Sequence, residues 1–180
     1  MLDVGCGYGR TLNEFYKLGF RNLTGIDYAI KMIERGVNLF PQIDFKLMSD
    51  NTLPFSDNSF DLVTLFAVLT CIIDNRDQDK IIQEIIRFLM PNGAVYISDY
   101  LLNDDKRNID RYELCKNKYQ NYGTFELEDK GVVRHHDKKR IEEIISKFDS
   151  IKYNETVYTT MNNNKSNGFY FIGKRMTKKK

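Results

Sequence analysis

Between a short apolar start and the first helical pattern the chain reads Asp3-Val4-Gly5-Cys6-Gly7-Tyr8-Gly9. Three alternate glycines let a backbone turn tightly and let a ligand approach with no side chain in the way. The helix that follows offers unpaired N–H groups and a positive dipole end to an anionic group. A second carboxylate, Asp27, stands twenty residues after Gly7 at the end of the next apolar run. An acid there can accept both hydroxyls of a ribose. With an adenosine ligand carrying an amino-acid tail, Asp3 can meet an ammonium group. The plain alternatives are a tight turn for the glycines and a helix cap for Asp27. No Gly-Lys-Ser/Thr follows, so a P-loop is excluded, and the third glycine falls one place early for the dinucleotide pattern G-x-G-x-x-G. A nicotinamide-dinucleotide oxidoreductase is therefore the second choice of cofactor class.

The elements that must hold these residues alternate. Met1–Val4 reads as a strand and Arg10 to Leu18 as a helix stopped by Gly19. Leu23–Ile26 is a second strand, Ala29 to Leu39 a helix, and Asp44–Met48 a third strand. Phe60 to Ala67 is nearly continuous apolar, the mark of a strand buried on both faces. Arg76 to Met90 is an amphipathic helix with Ile81, Ile82, Ile85, Ile86 and Leu89 on one face, ended by Pro91-Asn92-Gly93. Ala94–Ser98 is the next strand. The rhythm then breaks over residues 100–136, with a polar helix-like stretch from Lys106 to Tyr122 and a hairpin from Thr124–Leu127 and Val132–His135. Asp137 caps a helix to Phe148. Ile151–Met161 and Phe169–Lys174 are the last strands, joined by a loop of turn residues, Asn162 to Gly168. This order predicts an α/β domain with a mostly parallel sheet, whose ligand sits at the carboxyl ends of the strands where strand order reverses.

The chain has 180 residues, 42% hydrophobic and 29% charged, enough for one ordinary core. Net charge is +2, but the last seven residues carry five positive charges, so the rest is slightly acidic. The pI of 8.3 describes a tail and not a basic face for nucleic acid. Cys6, Cys71 and Cys115 are too scattered for a disulfide framework or a zinc site, and fit a reducing, cytoplasmic setting. No apolar run reaches the roughly 18–20 residues of a membrane helix. Met1-Leu2-Asp3 lacks the basic start and apolar core of a signal peptide.

Taken together, the motifs resemble those of a class I S-adenosylmethionine-dependent methyltransferase, from Met1 to about Asp99. The resemblance implies a Rossmann-like, doubly wound sheet of seven strands in the order 3-2-1-4-5-7-6, strand 7 antiparallel, with helices on both faces. It implies S-adenosyl-L-methionine as cofactor and no metal. The D-x-G-x-G-x-G turn maps to Asp3, Gly5, Gly7 and Gly9, with Cys6 inside it, and would hold the methionine part. Asp27 would take the ribose and Tyr28 would lie against the adenine. Ser49 to Phe55 matches the family's G-D-A…L-P-F stretch, which makes Asp50, with Asn51 beside it, the partner of the adenine amino group; a plain loop acid is the alternative. Asp57 to Val63 matches the strand-four motif, and Phe66-Ala67 would offer backbone to the cofactor's amino group. Residues 1–175 are expected to form one methyltransferase domain, with 100–136 as a substrate-side insertion and 176–180 as a basic tail.

Methyl transfer demands orientation first, and a general base only if the acceptor is protonated. His135 and His136, the only histidines, are candidate bases beside Tyr100; the alternative is that they close the hairpin and cap the next helix. Tyr8 and Tyr100 either line the substrate pocket or pack. Residues 100–136 hold seven basic and seven acidic residues and five aromatics, a balance that suits a small polar-aromatic acceptor better than a phosphate backbone. Nucleic acid and membrane are not expected partners. Protein or RNA methylation, or a non-catalytic cofactor-binding homologue, stand as alternatives. With so few residues before the glycine turn, a late start or a truncated relative with a more open cleft is also expected.

Overall fold

Short apolar runs separated by amphipathic stretches bury their faces most simply as strands covered by helices. A computed structural model describes residues 1–48, 53, 55–160 and 163–176. In chain order the elements are β1 (Leu2–Val4), α1 (Arg10–Lys17), β2 (Thr24–Asp27), α2 (Ile30–Leu39), β3 (Asp44–Leu47), β4 (Phe60–Phe66), α3 (Asn75–Phe88), β5 (Leu89–Tyr100), α4 (Lys106–Cys115), β6 (Thr124–Glu126), β7 (Val132–Arg134), α5 (Lys138–Ile145), β8 (Phe148–Thr159) and β9 (Lys165–Arg175). The main sheet has seven strands in the order β3-β2-β1-β4-β5-β9-β8, and β6 pairs with β7 separately. β9 runs antiparallel to both β5 and β8, while β1, β2, β3, β4 and β5 pair in parallel. With β8 and β9 as strands six and seven, this is the expected order.

Side chains alternate across the sheet. Leu2, Val4, Val63, Leu65, Val95 and Ile97 face one way and meet Ile82 and Ile85 of α3 and Ile141 and Ile144 of α5 in the main core. Each buried isoleucine contributes about 1.5–3 kcal/mol. On the opposite face Leu12 of α1 packs with Leu23 and Ile43 under Phe45. A third cluster, Tyr112, Cys115 and Phe125, ties α4 to β6.

Several boundaries differ from the expected ones. α3 stops at Phe88, because Leu89 turns extended (φ −63°, ψ 132°) and pairs with Phe60, so β5 begins before the Pro-Asn-Gly turn. α4 ends at Cys115, once its inward residues Tyr112 and Cys115 have met Phe125. Phe148 belongs to β8, paired with Arg175, and not to the preceding helix. β9 begins at Lys165: Lys165 to Gly168 pair with Thr159 to Thr156, so much of the expected loop is hairpin strand.

Candidate active site

The carboxyl ends of β1, β2 and β4 meet at the point where the sheet's order reverses, and the glycine turn crosses there. Gly5 N–H and Cys6 N–H both reach the carbonyl of Ile26, at 2.8 and 3.0 Å, which ties the turn to β2. Gly5, Gly7 and Gly9 have φ of +70°, +56° and +81°, left-handed values that glycine adopts without cost from a Cβ. At Gly5 a Cβ would come to 2.8 Å from Val68, and at Gly9 it would overlap the Phe45 ring. At Gly7 it would meet nothing within 4 Å. Gly7 is thus the open side of the turn, a cradle of bare backbone that adjoins Asp27 but is not itself part of the cavity lining.

Asp27 closes the cradle. Its Oδ2 accepts the Gly7 N–H and its Oδ1 accepts the Ala29 N–H, each at 2.8 Å. A carboxylate oxygen has two lone pairs, so each oxygen retains one for a ligand hydroxyl. Beside it lies a cavity of about 610 Å³, lined by Gly5, Asp27, Tyr28, Ala67, Val68 and Cys71 among others, and closed on the far side by α3 residues such as Ile81. That size lies within the roughly 300–1,000 Å³ of small-molecule sites. Ala67 holds φ +55° at the end of β4, and its N–H donates to Ser98 O at 2.8 Å. A non-glycine residue in that region costs about 1–2 kcal/mol, and such strain gathers at ligand sites. An open cradle, a half-used carboxylate and a cavity of this size fit an adenosine ligand.

The expected cofactor residues divide. Gly5, Asp27 and Tyr28 line the cavity, Tyr28 with most of its ring exposed. Asp3 lies beneath the turn, buried, and accepts the Thr64 hydroxyl at 2.7 Å; burial pushes its carboxyl up to about 7. Cys6 packs its sulfur against Gly25, and burial, then Asp3 and Asp27, push its thiol up. Gly9 backs onto Phe45. Phe66 turns its ring onto Tyr96, 5.0 Å away, leaving Ala67 to face the cavity. Asp50 and Asn51 lie outside the described residues.

Of the candidate acceptor and base residues, Tyr100, His135 and His136 lie together and Tyr8 packs elsewhere, and none of the four lines the cavity. Tyr8 stacks on Phe40 at 6.4 Å, under the guanidinium of Arg35 at 4.2 Å. Tyr100 is half-buried, 5.4 Å from the His135 ring and 5.9 Å from the Tyr158 ring; burial and Asp99 raise its hydroxyl above the usual phenol value. His136 is fully buried, its Nδ1–H donating to Tyr100 O at 3.2 Å and its Nε2 accepting from Gln78 at 2.8 Å. His135 accepts the Tyr112 hydroxyl at Nδ1, 2.6 Å away, with its ring against Phe125. Burial lowers His135 to about 3 and His136 to about 4. Neither lines the cavity. Both His136 nitrogens are bonded within the protein, and His135 Nδ1 is taken by the Tyr112 hydroxyl, so either ring would have to release a partner before accepting a proton there.

Groups that motif reading passed over complete the site. Asp99, fully buried, accepts the N–H of Thr70 at 3.1 Å and of Tyr100 at 2.8 Å, and so holds the 3-10 turn Leu69–Cys71 in the cavity wall. Gln78 donates to the carbonyls of Leu69 at 3.1 Å and Ile72 at 2.7 Å. Their signal was parity and spacing. Asp99 follows Val95 and Ile97 on the inward side of β5, and Gln78 precedes Ile81 and Ile82 on the inward face of α3.

The model of a methyltransferase domain matches residues 2–97. A demethylmenaquinone methyltransferase of Renibacterium salmoninarum is 29% identical over 100 residues, 56% of this chain and 40% of that protein. A phosphoethanolamine N-methyltransferase 1 of Arabidopsis thaliana is 32% identical over 106 residues, 56% of this chain and 21% of that protein. The chain thus spans well under half the length of these curated relatives. A SAM-dependent methyltransferase from Methanosarcina mazei shares the fold with a TM-score of 0.91 at 24% identity, covering 98% of this chain and 92% of that one. Among the described residues no helix is long and apolar enough to cross a membrane. The chain belongs to the methyltransferase-domain family of class I S-adenosylmethionine-dependent methyltransferases.

Proposed function

We propose that the chain binds S-adenosylmethionine in the cavity beside Asp27 and transfers its methyl group to a small-molecule acceptor. The observation that carries this reading is the open cradle at Gly7, clamped to Asp27 by a 2.8 Å hydrogen bond. Asp27 would accept the ribose hydroxyls, Gly7 would give backbone to the amino-acid tail, and Tyr28 would cover the base. The sulfonium supplies an activated methyl group, so the chain's part is to bind and align. Holding acceptor and methyl in line contributes up to roughly 7–11 kcal/mol of barrier lowering. Residues 100–136 form the acceptor side in this reading, and Tyr100 is the hydroxyl there nearest the end of β5. A small acceptor is favoured because the relatives include a demethylmenaquinone methyltransferase and a phosphoethanolamine N-methyltransferase and because the chain's excess positive charge sits in its tail. Thermal unfolding with added ligand tests the cofactor class. At a hundred times its Kd, S-adenosylhomocysteine should add about 2.7 kcal/mol to stability. Stabilisation by a nicotinamide dinucleotide and none by S-adenosylhomocysteine would reverse the assignment.

A further inference from the structure

The wall of the cavity between β4 and α3 is not fastened only to its own neighbours. Five hydrogen bonds cross from it to residues 121–136, a segment that does not line the cavity. The Thr70 hydroxyl donates to Arg134 O at 2.8 Å, and the Gln78 amide donates to His136 Nε2 at 2.8 Å. Arg134 donates to Ile73 O at 3.2 Å and to Asn75 Oδ1 at 2.5 Å, and Asn121 donates to Ile73 O at 2.9 Å. Thr70, Gln78, Arg134 and His136 are all buried. The Thr70–Arg134 and Gln78–His136 bonds are buried, so opening either leaves an unsatisfied partner.

We propose that Thr70 and Gln78 are positioning residues that lock the cavity wall and segment 121–136 into one unit, so that a ligand in the cavity stiffens the acceptor side of the site. The ligand half of this statement rests on the cofactor reading above. Val68, Cys71, Ile72 and Ile73 line the cavity, and the residues that bond to their turn reach directly into β7 and on to His136. Gln78 is central. Its one amide group meets Leu69 O, Ile72 O and His136 Nε2, and its oxygen accepts from Arg140 at 3.0 Å. A shift of the wall therefore changes which acceptor its two hydrogens serve, and the change is felt at His136.

Hydrogen exchange on the full chain tests the proposal. Thr70→Val keeps shape and removes only the bond to Arg134; Gln78→Met is the second variant. Without ligand, each should speed exchange about tenfold in peptides from both 69–75 and 132–136, with β8 and β9 unchanged. Faster exchange confined to 69–75 would overturn the proposal. Should Gln78→Met fail to fold, Thr70→Val alone decides. With S-adenosylhomocysteine as probe, the wild type should show slowed exchange at 132–136, and Thr70→Val should lose that slowing while keeping it at 67–74. Slowing at 67–74 alone in the wild type would also overturn it. No effect of the probe anywhere would contradict the cofactor reading, and the ligand-free comparison would still decide the coupling.

Discussion

The Gly7 N–H donates to Asp27 Oδ2 at 2.8 Å, joining the glycine turn after β1 to the acid that ends β2. One bond thus sets the width of the cradle and aims a carboxylate across it. The same carboxylate accepts the Ala29 N–H, so it also starts the path into α2. The helix-cap alternative does not hold, because the N-cap of α2 is Ala29 and no side chain caps that helix; each Asp27 oxygen uses one lone pair for backbone and keeps another for a ligand hydroxyl.

The glycines should separate by variant. Gly7→Ala meets no atom within 4 Å and pays only for its positive φ, about 1–2 kcal/mol. Gly9→Ala adds an overlap with the Phe45 ring, and overpacking adds about 1–3 kcal/mol. Urea unfolding should rank Gly9→Ala as the less stable. Ligand binding should rank Gly7→Ala as the more impaired for its stability, since its methyl group fills the cradle.

The buried titratable groups oppose one another with pH. Asp3 and Asp99 are raised to about 7 by burial, so they bind more protons folded than unfolded, and stability falls as pH rises from about 4 to about 7. His135 and His136 are lowered to about 3 and about 4, so they bind fewer protons folded, and stability falls as pH drops from about 6.5 towards 4. These contributions cancel between about pH 4 and 6.5. Asp3→Asn retains the oxygen that accepts the Thr64 hydroxyl and removes one opposing acid. Its stability relative to wild type should rise by about 1.4 kcal/mol per pH unit over that window, measured by urea titration. A slope equal to the wild type's would contradict the raised carboxyl.

The far hairpin makes a separate prediction. Tyr158 lays its ring over Gly168, where a Cβ would overlap it; its hydroxyl donates to Phe169 O at 3.0 Å and pairs with Ser98 Oγ at 2.8 Å. Gly168→Ala should cost about 1–3 kcal/mol. Tyr158→Phe should cost about 1 kcal/mol. Chemical unfolding of both variants checks the order.

Most of the sheet was legible because its strands are short apolar runs whose glycines and prolines mark the ends, while Gly5-x-Gly7-x-Gly9 and Asp27 were read as a site through the resemblance of the motifs around them. What was not legible depended on contacts distant in sequence. Lys165 to Gly168 look like loop, since their residues are polar; they are strand because Thr156 to Thr159 supply their partners. His135 and His136 look like chemistry because histidine titrates near neutrality. Their burial depends on Tyr112, Phe125 and Gln78, which no local pattern places beside them. Tyr8 follows Gly7 in sequence yet leaves the cavity, drawn to Phe40 and Arg35.

The central claim is that the cavity beside Asp27 holds S-adenosylmethionine. Titration calorimetry of S-adenosylhomocysteine into the wild type and Asp27→Ala tests it most directly. One site is expected in the wild type, and an affinity about a hundredfold weaker in a still-folded Asp27→Ala, in line with the loss of two hydrogen bonds to a charged group. No heat of binding at millimolar ligand, or equal affinity in the two proteins, would contradict it.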